Sequence, residues 1–496
     1  MSTKEKNLHR ILEECKKAAY LQSLSYLAGW DQETYMPKDG IEPKSEILSF
    51  IAQERHQILT GKKLEDSVKE LLKNPPTSSD DQILVKRIFD DISKEKKLGK
   101  SFVKKFSKET SLASESWKAS HKSDNFKSFL PSLKKVIELC QKKAELLGYE
   151  DHPYDALLDQ FEPSMTTKKL DEIFGNLKPK LTSLIKKITA KESPSKYCPK
   201  GNYPIDLQKE LSKDVIERIG IHADQYNLST THHPFCIALH PHDIRITTHY
   251  HKDNVLQGFS AAVHEAGHGL YENNLRASYF GTPLAEAASI GIHESQSRIF
   301  ETCLGNSLPF WNFYYPKFQK KFPEALGSVS IETFVAHVRV VKPSLIRIFA
   351  DEVTYCLHII LRYEIEKGLI DGSISAKDIP SIWRAKMQEY LGILPSSDAT
   401  GCLQDIHWSI GCFGYFPTYA LGSMYAGSLF TKFIKSNVDW ASKIASGDFS
   451  DFSKFLKEKI HIHGRRYLPF ELIEKATEKP FTPDDYIQYL EHRYLT

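Results

Sequence analysis

The stretch GFSAAVHEAGHGLYENNL, residues 258–275, carries His264, Glu265 and His268 in the order HExxH. On a helix, positions i and i+4 lie on one face about 6 Å apart along the axis, so both imidazoles reach one cation. Glu265 is offset by one residue and faces an attacking water from the side, as a general base must. The pattern indicates a metal-dependent hydrolase. The alternative is a polar helix with two unrelated histidines.

A third metal ligand must come from elsewhere, because a catalytic zinc commonly takes three protein ligands and leaves one position open. Glu294 in GIHESQS lies twenty-six positions after His268, on a segment from about residue 283 to 303 that is predicted as the next helix. Its neighbour His293 is the competitor. A third histidine usually comes as HExxHxxGxxH, and Asn274 stands where that pattern needs it. Glu294 is therefore favoured.

The predicted ligand set suits Zn²⁺, although Co²⁺ or Mn²⁺ would also bind two imidazoles and a carboxylate. A cation there lowers the pKa of water and polarises an amide carbonyl. Glu265 is then predicted to take the water's proton and to pass it to the departing amine. Glu272, one turn beyond His268, is a candidate to orient a ligand imidazole, and a solvated carboxylate is the alternative.

Composition and charge are those of an ordinary globular protein. The 496 residues are 41% hydrophobic and 26% charged, which argues against disorder. Lys plus Arg outnumber Asp plus Glu by only 66 to 63, so neither nucleic acid nor a membrane is an expected partner. The N-terminus does not resemble a secretory signal, and no stretch approaches the roughly 20 apolar residues of a membrane span. The eight cysteines form no CxxC pair, which argues against disulfides and favours a reducing cytoplasm.

Helical periodicity dominates the chain. Apolar stripes at that spacing are Leu8, Ile11, Leu12, Cys15, Ala18 and Ala19 near the start, and Phe129, Leu133, Val136, Ile137 and Cys140 later. The Pro- and Gly-rich residues 191–204 are predicted as a loop. FCIAL and IRITTHY, residues 235–239 and 244–250, predict a short β-hairpin. We expect a mainly α fold that forms one catalytic unit over residues 1–496.

The chain also resembles the carboxypeptidase Taq family of metallocarboxypeptidases along nearly its whole length. The matching segments are GWDQETYMP (29–37), HPF (233–235), DIRIT (243–247), HEAGH (264–268), HESQ (293–296), IRIFAD (346–351) and GCLQDIHW (401–408). The resemblance implies a helical, two-lobed zinc-peptidase fold with a deep groove and a small sheet beside the active site. It also implies a homodimer, and removal of single residues from peptide C-termini with broad specificity.

Substrate-binding residues are predicted less directly. An exopeptidase must bind a terminal carboxylate, and arginine supplies a bidentate fork for it. Arg347 is the first candidate and Arg245 the second, and the alternative for each is a structural ion pair with Asp351 or Asp243. His233 is a weaker candidate, because turn histidines are usually solvated.

The oxyanion of the tetrahedral intermediate needs positioned donors. By resemblance to helical zinc peptidases that use a His and Tyr pair, His407 with Tyr419, and then Tyr415, are the candidates, and burial in the core is the alternative. The strand at residues 244–250 is a candidate to pair with the peptide backbone, with a purely structural hairpin as the alternative.

Three hypotheses follow. The first is a C-terminal exopeptidase acting on peptides. The second is an endo-acting oligopeptidase with the same metal site, since the ligand set does not say where along a peptide the cut falls. The third is an inactive helical binding or scaffold protein.

Overall fold

The computed structural model describes residues 1–191 and 200–496. Most of the predicted loop at residues 191–204 therefore lies outside the described residues. The α-helices are Thr3–Thr34 (α1), Ile41–Leu59 (α2), Lys62–Lys73 (α3), Ser79–Leu98 (α4), Lys100–Lys122 (α5), Phe126–Leu147 (α6), Pro153–Leu158 (α7), Thr167–Lys191 (α8), Ile205–Ile219 (α9), Val255–Asn274 (α10), Ile290–Arg298 (α11), Leu308–Lys321 (α12), Pro323–Leu326 (α13), Ile331–Val338 (α14), Tyr355–Asp371 (α15), Ile379–Leu391 (α16), Pro417–Ser436 (α17), Trp440–Ala445 (α18), Ser450–Lys459 (α19), Pro469–Thr477 (α20) and Pro483–Leu495 (α21).

Shorter helical turns join these elements. A π-helical turn, Ile299–Leu304, directly continues α11. The 3₁₀ turns are Lys38–Gly40, Ala223–Gln225, Ala277–Tyr279, Pro283–Ala285, Arg347–Phe349, Ala376–Asp378 and His461–Arg466. Within the described ranges, no helix has the length and apolar character needed to cross a membrane.

The strands Tyr226–Thr230 (β1), Cys236–His240 (β2) and Asp243–Thr248 (β3) form one sheet in the order β1-β3-β2. β2 and β3 pair antiparallel and β1 pairs parallel with β3. The mainly α class with a small sheet, and the hairpin, are confirmed. β1 was missed, because its short sequence YNLST has only one large aliphatic residue.

The predicted pairing of residues 244–250 with substrate is wrong. β3 is the central strand, so its backbone is already paired on both sides. On the hairpin side of the sheet the edge strand is β2, whose outer backbone groups pair with no other strand of the sheet. Helix α1 packs against one end of that edge, where the Ser23 hydroxyl donates to the carbonyl of Leu239.

Two hydrophobic clusters hold the described residues together. The large one runs from α5 to α21 and includes the predicted stripe on α6, from Phe129 to Cys140. The small one joins α1, α3 and α4, and it includes Ile11 and Cys15 of the predicted N-terminal stripe. Both stripes are therefore core faces.

Candidate metal centre

Helices α10 and α11 bring His264, His268 and Glu294 together. The three offer ligand atoms that all lie within 4.8 Å of one another. Glu294 Oε2 is 3.8 Å from His264 Nε2 and 3.5 Å from His268 Nε2. Two ligand atoms at about 2.1 Å from a tetrahedral cation lie about 3.4 Å apart. The spacing therefore fits one small divalent cation, held by the three residues singled out in the sequence.

The helices that carry these ligands start at polar caps and pack very closely. The side chains of Asn254 and Ser289 accept from the first-turn amides of α10 and α11, which typically stabilises a helix by about 1 kcal/mol. A Cβ on Gly267 would lie 2.3 Å from the Gln296 carbonyl oxygen of α11. The glycine of HEAGH, Gly267, is thus required by the close approach of α10 and α11.

His293, the competing ligand, has a different role in the structure. Its ring stacks on His268 with centroids 4.4 Å apart and an interplanar angle of 16°. Its Nε2 is 2.9 Å from Glu272 Oε1. The suggestion that Glu272 orients a ligand imidazole is therefore wrong, because this carboxylate contacts His293 and not His264 or His268.

Glu301 is the partner of a ligand imidazole that the sequence analysis missed. Its Oε2 is 2.9 Å from His264 Nδ1 and 2.6 Å from Arg298 Nη1. Glu301 lies in the π-helical turn after α11, thirty-seven residues from His264. No spacing rule links two residues so far apart, although Glu294, Arg298 and Glu301 share a helical face at i, i+4 and i+7.

The charges of the centre favour a cation. Burial raises the pKa of Glu265 to about 7, and the neighbouring Glu294 adds to the effect. Burial also lowers the pKa of His268 to about 3, so its imidazole is neutral and free to coordinate. At His264 burial acts in the same direction, but Glu301 and Glu294 outweigh it and raise the pKa to about 9. The field that holds a proton there would equally attract a metal ion.

His407, Tyr419 and Tyr415 also lie together. His407 Nε2 is 3.2 Å from the Tyr419 hydroxyl, and the two tyrosine rings have centroids 5.3 Å apart. Burial raises the pKa of both phenols, and the charge of Glu294 contributes to each shift. Both hydroxyls are therefore protonated donors within electrostatic reach of the predicted metal ligands.

Arg347 is buried, with 7% of its surface exposed. Its guanidinium pairs with Asp405 at 3.0 Å, donates to the Tyr355 hydroxyl at 3.2 Å, and lies 4.8 Å from the centre of the Tyr419 ring. The ion-pair partner is thus Asp405 and not Asp351. Direct contact of Arg347 with a substrate carboxylate stays a prediction.

Arg245 and His233 lie apart from these contacts. Arg245 pairs with Asp243 at 2.7 Å and stacks over Trp30 at 5.0 Å, so the structural ion pair considered for it is present. His233 is exposed, and its ring lies 4.6 Å from that of His232. Their roles in substrate binding also stay predictions.

Comparisons with known proteins agree with the resemblance noted from the sequence. A family model described as carboxypeptidase Taq (M32) metallopeptidase matches residues 10–494. Carboxypeptidase 1 of Bacillus subtilis (strain 168) is 37% identical, with 97% of this chain and 96% of the relative covered. Thermostable carboxypeptidase 1 of Thermus thermophilus is 35% identical, with 99% of each chain covered. The crystal structure of the M32 carboxypeptidase from Deinococcus radiodurans R1 superposes with a TM-score of 0.96 at 30% identity, covering 99% of both chains. The chain belongs to the carboxypeptidase Taq (M32) family of metallopeptidases.

Proposed function

We propose that the chain is a zinc-dependent metallocarboxypeptidase that releases single C-terminal amino acids from peptides with broad specificity. The observation that carries the proposal is the convergence of His264, His268 and Glu294 within 4.8 Å, in a chain whose family is one of metallopeptidases. Two imidazoles and one carboxylate fit Zn²⁺, and Co²⁺ or Mn²⁺ would fit the same donors. When bound, the cation would polarise the scissile carbonyl.

Glu265 is proposed as the general base. It follows His264 directly in α10 and is buried, with 7% of its surface exposed. It would take a proton from the attacking water and then deliver it to the leaving amine, so that one carboxylate performs both proton transfers of the hydrolysis.

Tyr419 is proposed as the main donor to the oxyanion, with His407 holding its hydroxyl and Tyr415 as the neighbouring donor. The support is the 3.2 Å contact between His407 and Tyr419. In addition, burial and the charge of Glu294 both raise the pKa of the two phenols. Arg347, whose guanidinium stacks on Tyr419, is proposed to bind the terminal carboxylate, with Arg245 and His233 as secondary contacts.

The free edge of β2 is proposed to pair with the peptide backbone. In an antiparallel pair, alternate residues direct their amide groups to the partner strand. The Phe235 carbonyl accepts from Thr247 at 2.9 Å, so Cys236 and Ala238 direct their amide groups away from β3. Burial raises the pKa of Cys236 and the charge of Glu265 adds to the effect, which is consistent with this edge running beside the general base.

A pair of matched peptides tests exopeptidase against endopeptidase action. We expect a short peptide with a free C-terminus to lose single residues in sequence, while its C-terminally amidated twin is cut far more slowly. Equal cleavage of both peptides would instead support the endo-acting alternative. Metal analysis of the purified protein, with add-back of Zn²⁺, Co²⁺ or Mn²⁺ after chelation, tests the metal.

The remaining features are also proposals. Two lobes that enclose a groove, and a homodimer, rest on the resemblance. A single catalytic unit over residues 1–496, a cytoplasmic location and the expected lack of a nucleic-acid partner rest on composition, cysteine spacing and charge balance. Light scattering after size exclusion tests the dimer, for which a mass near twice 56.7 kDa is expected.

A further inference from the structure

The two histidines of the centre are supported in different ways. The Nδ1 of His264 contacts the Glu301 carboxylate at 2.9 Å. The Nδ1 of His268 is buried and has no hydrogen-bond partner among the described residues, and its ring is instead stacked by His293. Of the two rings, His264 therefore has its Nδ1 held by a charged group, and His268 does not.

Glu301 is itself held by a second side chain, Arg298. Arg298 donates to the same oxygen, Glu301 Oε2, at 2.6 Å. Arg298 has 7% of its surface exposed, and its guanidinium stacks over the ring of Tyr355 at 4.8 Å. A buried arginine fixed in this way leaves the carboxylate little freedom to rotate away from His264.

The backbone explains how Glu301 reaches this position. Glu294 and Arg298 lie one turn apart on α11, and Glu301 follows in the π-helical turn Ile299–Leu304. π-helical turns inside α-helices are rare and occur mainly at functional sites. One continuous helical segment thus supplies both a predicted metal ligand and the carboxylate that contacts another predicted ligand.

We propose that Glu301, anchored by Arg298, is a positioning residue that sets the orientation and tautomer of His264 for metal binding. An acceptor at Nδ1 places the remaining proton there and leaves the Nε2 lone pair for the cation. This nitrogen is the one that lies 3.8 Å from Glu294 Oε2. The inference rests on the metal site of the proposed function.

The test is the zinc affinity of the purified protein, measured by competition with a chromophoric chelator. Two substitutions separate charge from reach. Glu301→Gln keeps the length of the side chain but removes its charge, and Glu301→Asp keeps the charge but withdraws it by one methylene. Both should weaken zinc binding about 10–100-fold, the usual effect of losing a partner of a ligand histidine. Substitution of Co²⁺ should also give a shifted visible spectrum in both variants.

Glu352→Gln is the matched control. Glu352 is also a buried carboxylate paired with an arginine, Arg493, at 3.2 Å, but it contacts no predicted metal ligand. This variant should lose thermal stability and keep the zinc affinity of the unchanged protein.

Zinc affinity that is unchanged in either folded Glu301 variant would overturn the positioning role and leave the proposed function intact. If one variant does not fold, the other decides. Failure of the unchanged protein to bind zinc, cobalt or manganese would instead overturn the metal site itself. An equal loss of affinity in Glu352→Gln would show that general destabilisation, and not positioning, explains the effect.

Discussion

Replacing Gly267 by alanine tests whether the spacing between α10 and α11 sets the metal centre. A Cβ at this position would lie 2.3 Å from the Gln296 carbonyl oxygen and 2.7 Å from the Ser297 Cα, whereas ordinary contact begins at 3.4 Å. The neighbours are backbone atoms, so no side chain can rotate away. The α11 backbone must retreat by about 1.1 Å, the difference between 3.4 and 2.3 Å.

That retreat would carry Glu294 with it, because Glu294 lies on α11 two residues before Gln296. Metal–ligand distances vary by only about 0.2 Å in well-formed sites, so a displacement of about 1 Å removes the carboxylate from the cation. We expect zinc affinity to fall about 100-fold or more, since even outer partners of a ligand account for 10–100-fold. In the metal-free protein, overpacking costs about 1–3 kcal/mol, offset by about 1 kcal/mol of helix propensity gained.

Chelator competition and urea unfolding of the metal-free protein measure these two effects separately. Gly175→Ala, inside α8, is the control, because nothing lies within 4 Å of the added Cβ. It should stabilise the fold by about 1 kcal/mol and leave zinc binding unchanged. A folded Gly267→Ala protein that binds zinc within about threefold of the unchanged one, less than 1 kcal/mol, would refute the reasoning.

Three further predictions concern catalysis and pH. Glu265→Gln should retain zinc and lower kcat by about 10²–10⁴-fold, and activity that persists in the metal-loaded variant would contradict the mechanism. Tyr419→Phe should lower kcat by about 10²–10³-fold with little change in KM, and Tyr415→Phe by less; a larger effect of Tyr415→Phe would reverse the two roles. Burial raises the pKa of Glu366 to about 7, so the folded state binds this proton more tightly than the unfolded state, and the resulting stability, about 3 kcal/mol, is fully present below about pH 4.5 and lost as pH rises through about 7. Urea unfolding between pH 5 and pH 8 should show a shallower decline in Glu366→Gln than in the unchanged protein, and identical slopes would contradict the assignment.

The sequence predicts most reliably what depends on local geometry. His264, Glu265 and His268 are placed by the helical repeat alone, and their helix is where the pattern puts it. Glu294 could be chosen as the third metal ligand because Asn274 stands where a third histidine would be expected, and the next predicted helix offers a carboxylate. The hairpin followed from alternation and a polar turn.

Contacts that depend on tertiary packing could not be predicted from the sequence. Glu272 has the right spacing to support His268. Its carboxylate instead contacts His293, whose ring stacks on that of His268. Glu301 has no local relation to His264. Arg347 lies only four residues before Asp351 in the sequence, but its ion pair is with Asp405, which is distant in the chain and adjacent only after folding.

The unpaired edge of β2 also bears on colloidal stability. An exposed strand edge is a template on which another molecule can add its own strand, and proteins commonly guard such edges with a helix or loop. Here the N-terminal helix α1 covers one end of the edge, where the Ser23 hydroxyl donates a hydrogen bond to the Leu239 carbonyl. A chain shortened to remove α1 would expose the covered end of this edge as well, and we expect it to aggregate through intermolecular β-pairing.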